Sequence, residues 1–291
     1  MSTTLEQSYE YCRHVAKSQA RNFYYSFTVL PPAKRAAMCA IYSFMRYSDD
    51  LTDEAASPSN KAAQLTEWRA ALDRAFEGEY GSSKILPAFH DTAVKYSIPK
   101  RFFHELIDGE EMDLTRTRYE TFDDLYKYCY HVASVVGFVC IHVWGFTGGE
   151  AAYKPAEACG IAFQLTNILR DLKEDAERGR IYLPQEDLRR FGYTDADLIA
   201  GARDERFHRL MQFEVDRAKE FYERALPLVP TIDPVSRPTF QIMYRIYRGL
   251  LDKIEKQNYD VFSQRTSLSA VRKVGIVAQE WLGSRLSAGA H

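Results

Sequence analysis

Two groups of side chains in this chain have types and spacings that could do chemistry. Tyr42, Arg46, Asp49 and Asp53 fall at i, i+4, i+7 and i+11, which places them along one face of a helix. Asp50 and Glu54 sit about 100° round from that stripe, so the acidic run from Asp49 to Glu54 divides into an inward and an outward pair. Over a hundred residues downstream, Gln164, Asn167, Asp171 and Asp175 repeat the device just before Arg178, Gly179 and Arg180. Carboxylates near a helix C-terminus oppose the macrodipole, at a cost of about a few tenths of a kcal/mol each. Something other than helix stability therefore places them there. Magnesium prefers oxygen ligands, takes one or two protein carboxylates, and completes its octahedron with water and phosphate oxygens. An aspartate pair one turn apart supplies that partial shell, and Asn167 adds a neutral carbonyl oxygen. Two such helices facing each other across a cavity would hold several magnesium ions, three in our reading, around a diphosphate. Arg46, with Arg170 or Arg180, would neutralise the remaining charge.

The elements that must position these stripes read as helices. Gly and Pro cluster at Pro31-Pro32, Gly78 to Gly81, Gly148-Gly149 and Pro227 to Pro238, the punctuation of helices joined by short loops. Between these points apolar residues recur at three and four, as in Met38, Ile41 and Met45, with no sustained alternation of period two. The pattern predicts an all-α chain with helices over 33–56, 60–77, 83–96, 99–114, 121–146, 152–176, 204–228, 238–257 and 267–285. No repeat, low-complexity tract or linker interrupts it, so residues 1–291 are expected to form a single domain.

Composition narrows the partners. The 38 Lys and Arg against 40 Asp and Glu give a net charge of −2, which offers nucleic acid no electrostatic hold. Five cysteines, Cys12, Cys39, Cys129, Cys140 and Cys159, form no C-x-x-C pair and no disulfide framework, which fits a reducing cytoplasmic compartment. The acidic N-terminal stretch reads as no secretory signal. The longest apolar run, Val132 to Phe146, is too short to span a bilayer. Neither a P-loop nor G-x-G-x-x-G is present; His104-Glu105 does not continue to H-E-x-x-H and reads as a surface pair; and Glu205-x-x-His208 is one half of what a di-iron bundle needs. Nineteen Tyr and seventeen Phe supply many π faces.

Five strings carry a family resemblance: ARNFYYSF at 20–27, AIYSFMRYSDDLTDE at 40–54, GEEMDLTRTRY at 109–119, YCYHVASVVG at 128–137 and QLTNILRDLKEDAERGRIYLP at 164–184. They resemble the squalene and phytoene synthases, the head-to-head prenyl transferases, through nearly the whole chain. The resemblance implies the isoprenoid-synthase helical fold with a central cavity and maps the family's metal-binding motifs to Asp49 and Asp53, and to Asn167, Asp171 and Asp175. Its diphosphate and prenyl contacts map to Arg21, Tyr42, Arg46, Gln164, Arg170 and Tyr247, and its cavity aromatics to Phe23, Tyr128 and Tyr182, with Tyr128 among the catalytic set. One departure is Asn22, where many members have Ser or Thr.

The implied reaction joins two allylic diphosphates through a cyclopropylcarbinyl diphosphate and ends there, in reduction by NADPH, or in proton loss. Carbocations need an apolar, water-free site lined with π faces. Val132, Ala133, Ser134, Val136, Gly137 and Val139 are expected to wall that tunnel, and the bulk of Phe23, Phe27 and the 132–139 stretch to set where it ends. The strings look most like bacterial members that couple two farnesyl diphosphates, so presqualene diphosphate or squalene is the expected product, with NADPH as reductant if squalene is the end point. Phytoene or dehydrosqualene is the alternative; a class I terpene cyclase and an inactive helical assembly factor are the rivals. Arg272, Lys273 and Arg285, among Val271, Val274, Ile276 and Leu282, read as a solvated face over core packing. Membrane-surface docking is the alternative use of that helix; otherwise a monomer is expected.

Overall fold

The computed structural model describes residues 3–53 and 58–288, without the side chains of 21–22, 52–53, 58–59 and 284–288. Among the described residues it is built of helices, with two isolated bridges and no strand. In chain order they are α1 Leu5–Gln19, α2 Arg21–Phe27, α3 Pro32–Asp53, α4 Pro58–Phe76, α5 Leu86–Lys95, α6 Lys100–Thr115, α7 Phe122–Cys129, a π-helical turn Tyr130–Ser134, and α8 Val135–Trp144. After a 3₁₀ turn at Gly149–Ala152 come α9 Tyr153–Glu177, α10 Gln185–Arg190, α11 Asp195–Ile199 and α12 Glu205–Ala225. A second 3₁₀ turn, Leu226–Thr231, leads to α13 Arg237–Lys256 and α14 Ala270–Ala288.

The local chemistry explains many of these boundaries. Reciprocal capping boxes start α1 (Thr4 with Gln7), α7 (Thr121 with Asp124) and α11 (Thr194 with Asp197), while Asp204 caps α12. Prolines stand in the first turns of α5 and α13, where a missing N–H leaves no bond unmade. Buried apolar side chains form one continuous cluster. In it α9 packs along α12, α8 and the π turn, α3 along α1, α5 and α6, and α13 along α2, α9 and α14. Phe44 of α3 stacks on Phe89 with centroids 4.1 Å apart and on Trp68 at 5.0 Å.

The structure departs from the pattern-based reading in three places. Helices α1, α2, α10 and α11 were not expected: α1 buries only Ser8, Cys12 and Ala16, a stripe too weakly apolar to show in a hydrophobic period, and the others are under two turns long. The helix expected over 121–146 is α7, the π turn and α8. His104 does not pair with Glu105; it bonds Asp73 at 3.0 Å and Arg69 at 3.3 Å, while Glu105 accepts from the Tyr130 hydroxyl at 3.2 Å.

The π turn exists because two neighbours come unusually close. A Cβ on Gly160 of α9 would lie 2.5 Å from the Ser134 backbone, and one on Gly109 of α6 would lie 2.8 Å from Val132 Cγ1. The turn is thus gripped from both sides, most tightly at Gly160, where a Cβ would strike backbone that cannot give way. Such turns, with one extra residue per loop of hydrogen bonds, occur mostly at functional sites, and this one carries Val132 and Ala133 to the cavity wall.

Gly160→Ala should therefore force α9 and the π turn apart. Overpacking of this kind costs about 1–3 kcal/mol, which in a chain of this size lowers Tm by several degrees. Gly275→Ala, where a Cβ meets nothing within 4 Å, should leave Tm level or higher. Thermal denaturation of both variants checks the contrast.

Candidate active site

Helices α3 and α9 form two walls of a cavity of about 530 Å³, and both change from apolar to polar along its length. On α3 the lining runs Met38, Ile41, Tyr42, Met45, Arg46, Asp49; on α9 it runs Ala156, Cys159, Gly160, Phe163, Gln164, Asn167, Arg170, Asp171. Asp49 and Arg265, each 46% exposed in the side chain, mark the solvent end. The far end is closed by Met38, Ile141, Trp144, Leu228 and Phe240, all buried. Lys34 ties that end together, donating to the Trp144 carbonyl, to Ser236 Oγ at 3.0 Å and to Asp233 at 3.2 Å. The expected floor was Phe23, Phe27 and 132–139. Phe23, Phe27, Val132, Ala133, Val136 and Gly137 do line the cavity. Val139 is core, and Ser134 spends its hydroxyl on the Glu157 carbonyl at 3.0 Å.

At the polar end carboxylates and guanidinia alternate. Arg46 Nη1 donates to Asp49 at 2.8 Å, and its Nη2 to Asp50, which does not line the cavity. Asp171 is held by two arginines at once: Arg170 through Nε at 2.8 Å and Nη2, and Arg265 through Nε at 2.8 Å and Nη2 at 2.9 Å. Burial disfavours its charge, yet these hydrogen bonds outweigh burial and keep the carboxyl below the usual range. Among the described residues, two buried polar atoms here have no partner, the donor Arg46 Nε and the acceptor Asn167 Oδ1. A buried unpaired donor or acceptor costs free energy; a phosphate oxygen would satisfy the first and a cation the second.

The expected row Asn167, Asp171, Asp175 is interrupted. Asp171 has non-helical backbone angles (φ −106°, ψ 15°) that kink α9. Asp175, one turn on, is absent from the cavity lining, and burial together with the nearby Asp171 pushes its carboxyl up to about 7. Among the described residues, no three His, Cys, Asp or Glu side chains converge to hold a metal by themselves. The side chains of Asp53 and Arg21 lie outside the described residues.

Aromatic rings fill the middle of the cavity. Tyr247 of α13 stacks on Phe163 at 4.3 Å and meets Phe23 at 5.6 Å. Tyr128 lines the cavity and donates its hydroxyl to Asp113 at 2.9 Å; Tyr182, just behind it, donates to the other oxygen of Asp113, also at 2.9 Å. Burial and the Asp113 charge hold both phenols well above their ordinary range, so they stay protonated. Two cysteines, Cys140 and Cys159, also face this space.

The squalene/phytoene synthase family model matches residues 16–272. The chain belongs to this family. It is 40% identical to the 15-cis-phytoene synthase of Synechococcus elongatus over 93% of this chain and 91% of that protein. Among solved structures, a dehydrosqualene synthase bound to a ligand superposes with TM-score 0.86 at 30% identity, covering 98% of each chain. A squalene synthase of Alicyclobacillus acidocaldarius gives 0.82 at 29% identity, over 88% of this chain and 95% of that one. As a member, the chain is a prenyltransferase.

Of the residues read from the sequence, Phe23, Tyr42, Arg46, Asp49, Tyr128, Gln164, Asn167, Arg170, Asp171 and Tyr247 all line this cavity. Tyr182 and Asp175 stand behind it. Three further residues were not singled out. Arg265 sits in the loop between α13 and α14, where a lone arginine among Ser, Gln and Thr has no periodic signal. Asp113 and the buried Glu110 lie in the quoted GEEMDLTRTRY string, but only the fold shows Glu110 on the cavity and Asp113 under two tyrosines.

Asp171→Asn should abolish turnover, to below about a hundredth of the parent, because it removes the charge that both Arg170 and Arg265 are set against. Asp50→Asn, on the outer side of Arg46, should keep activity within about fivefold. Steady-state rates of the two purified variants, with melting curves to show intact folding, test the division.

Proposed function

We propose that this chain condenses two geranylgeranyl diphosphates head to head to phytoene, with magnesium at its polar end. Head-to-head condensation of prenyl diphosphates is the chemistry of its family. The observation that carries the C20 reading is the agreement over almost the whole chain with proteins named phytoene synthases, at 40% identity in two cyanobacterial cases, against 30% and 29% for the structures named for C30 products. The expectation of a squalene-type product is accordingly revised. Cavity length is compatible. From Met38 to Asp49 is eleven residues of α3, about 16 Å, and from Ala156 to Asp171 fifteen residues of α9, about 22 Å. A prenyl unit adds four C–C bonds, about 5 Å extended, so four units need about 20 Å. A second reading, two farnesyl diphosphates to dehydrosqualene, is favoured by the TM-score of 0.86.

The residues present suit each demand of such a reaction. Arg46, Arg170 and Arg265 can hold diphosphate oxygens, Arg46 through the Nε that has no protein partner. Asp49, Asn167 and Asp171 offer oxygens for magnesium, and the unpartnered Asn167 Oδ1 fits that use. Magnesium bound there would neutralise diphosphate charge and ease its departure. Each diphosphate leaves with the electron pair of its C1–O bond. The first C1 cation takes electrons from the other chain's 2,3 double bond, one proton is lost as the cyclopropane closes, and a second is lost when the final central double bond forms. Two diphosphates and two protons leave, and no hydride is needed, so this reading requires no NADPH. Phe23, Phe163, Tyr128 and Tyr247 give the cations π faces in place of water. Since the Tyr128 hydroxyl is committed to Asp113, what it offers the cavity is chiefly its ring.

Purified protein given either substrate with magnesium and no NADPH should consume geranylgeranyl diphosphate at least several-fold faster than farnesyl diphosphate and release a C40 hydrocarbon, identified by mass spectrometry. A C30 product formed faster would reverse the assignment of chain length. Because a ligand of the native state stabilises it by mass action, magnesium plus inorganic diphosphate should raise Tm more than either alone, by several degrees at saturation. Asp171→Asn should erase that synergy.

A further inference from the structure

The wall that closes the far end of the cavity is held from outside it. Lys34, in the first turn of α3, keeps only 17% of its side chain exposed, and an amino group so placed is costly unless it is bonded. Its three N–H bonds have three acceptors: the Trp144 carbonyl, Ser236 Oγ at 3.0 Å and Asp233 Oδ2 at 3.2 Å. Ser236, fully buried, closes the circuit by donating to the same Trp144 carbonyl at 2.7 Å. The main chain joins the same two segments. Thr147 N–H donates to the Thr231 carbonyl at 2.8 Å and Asp233 N–H to the Gly145 carbonyl at 3.0 Å, on either side of a bridge between Phe146 and Ile232. Gly145 has φ +80°, and a Cβ there would lie 2.1 Å from the Asp233 carboxylate.

Each anchor of this clamp is part of the end wall or stands one turn from it. Met38 follows Lys34 by four positions on α3, Phe240 follows Ser236 by four along α13, and Trp144 is both anchor and wall. Leu228, also in the wall, accepts through its carbonyl from Thr231 Oγ1 at 2.8 Å, so it hangs from the same junction. Trp144 and Phe240 meet edge to face with centroids 6.2 Å apart. Among the described residues the buried indole N–H of Trp144 has no partner. No polar contact of its own holds the ring; packing and the clamp on its carbonyl do.

We propose that Lys34 is a positioning residue that sets the depth of the cavity, and through depth the longest prenyl chain admitted. Lys34 does not line the cavity. It acts by drawing the start of α3, the end of α8 and the approach to α13 together behind Met38, Trp144 and Phe240. Without its ammonium the three segments lose their common tie, and the wall recedes. That the occupants are prenyl diphosphates rests on the function proposed above.

The test compares all-trans C15, C20 and C25 prenyl diphosphates by kcat/KM, and their unreactive thiolo analogues, with magnesium, by calorimetric Kd. In the parent both measures should worsen about tenfold or more from the best chain to the one a unit longer, since an apolar pocket rejects surplus methylenes on that scale. Lys34→Met, which keeps the bulk of the stem, should shrink that penalty to about threefold or less. Gly145→Ala, which displaces Asp233 from the other side, should relax it too, and Asp233→Asn by less. Leu72→Ala supplies the control: this fully buried residue does not line the cavity, and its loss should lower Tm yet leave the length penalty untouched. A folded Lys34→Met with the parent's penalty overturns the proposal, and so does a Leu72→Ala that relaxes the penalty equally. Should Lys34→Met not fold, Asp233→Asn decides by the same criterion. A parent that binds the analogues but turns over none of the diphosphates loses the functional reading, and the clamp is then judged on Kd alone. A parent that prefers the C15 chain reverses only the length assigned above; one that binds no chain overturns both.

Discussion

Everything in this protein turns on holding negative charge at the rim of an apolar hole. Asp49 and Asp171 belong to different helices but line the same cavity end, and like charges so placed repel. Three guanidinia, from Arg46, Arg170 and Arg265, offset that repulsion. The arrangement leaves the site poised between two ionic states. In one, arginines neutralise the carboxylates directly, as seen here. In the other, which the proposed function implies, cations and a diphosphate would interpose, and each arginine would exchange a carboxylate for phosphate oxygens. A site built only of acids would repel its own anionic substrate; one built only of arginines would hold the diphosphate product too well.

The apolar remainder of the cavity follows from that rim. Because α3 and α9 both grade from small or apolar residues to polar ones along the same cavity, a molecule with an anionic head and an oily tail is oriented before any chemistry begins. The kink at Asp171 contributes to this order: it ends the polar row at the cavity and leaves Asp175 half-buried near Asp171, where a second charge would be costly. Tyr128 and Tyr182 share Asp113 as an acceptor, which fixes two rings with one carboxylate.

How much of this was written in the sequence depends on the physics of each part. Long helices with a 3.6 period were legible to within a few residues, since burial of one face dictates their composition. The two stripes were legible because helical spacing alone puts i, i+4 and i+7 side by side. The π turn was not, since it packs against Gly160 and Gly109, residues distant from it in sequence, the first of which admits a close backbone and the second the side chains of His131 and Val132. Arg265 and Asp113 were missed for a related reason: their roles are set by what the fold brings near, Asp171 for one and two phenols for the other. Product length was the least legible part, because Trp144, Leu228 and Phe240, which line the cavity together, come from three separate elements that the sequence gives no reason to combine.

The two cysteines of the cavity wall bear on what such a site must not contain. A carbocation alkylates the best electron donor within reach, and a thiolate is a far better one than an aromatic ring. Cys140 and Cys159 lie in the wall beside the path of the chain, yet burial pushes the Cys140 thiol up to about 12 and raises Cys159 likewise. Both sulfurs are thereby kept protonated and weakly nucleophilic. The burial that keeps water from the wall of this cavity also suppresses the thiolate form, the stronger electron donor of the two, so dryness and the quieting of both sulfurs are one property of the same packing.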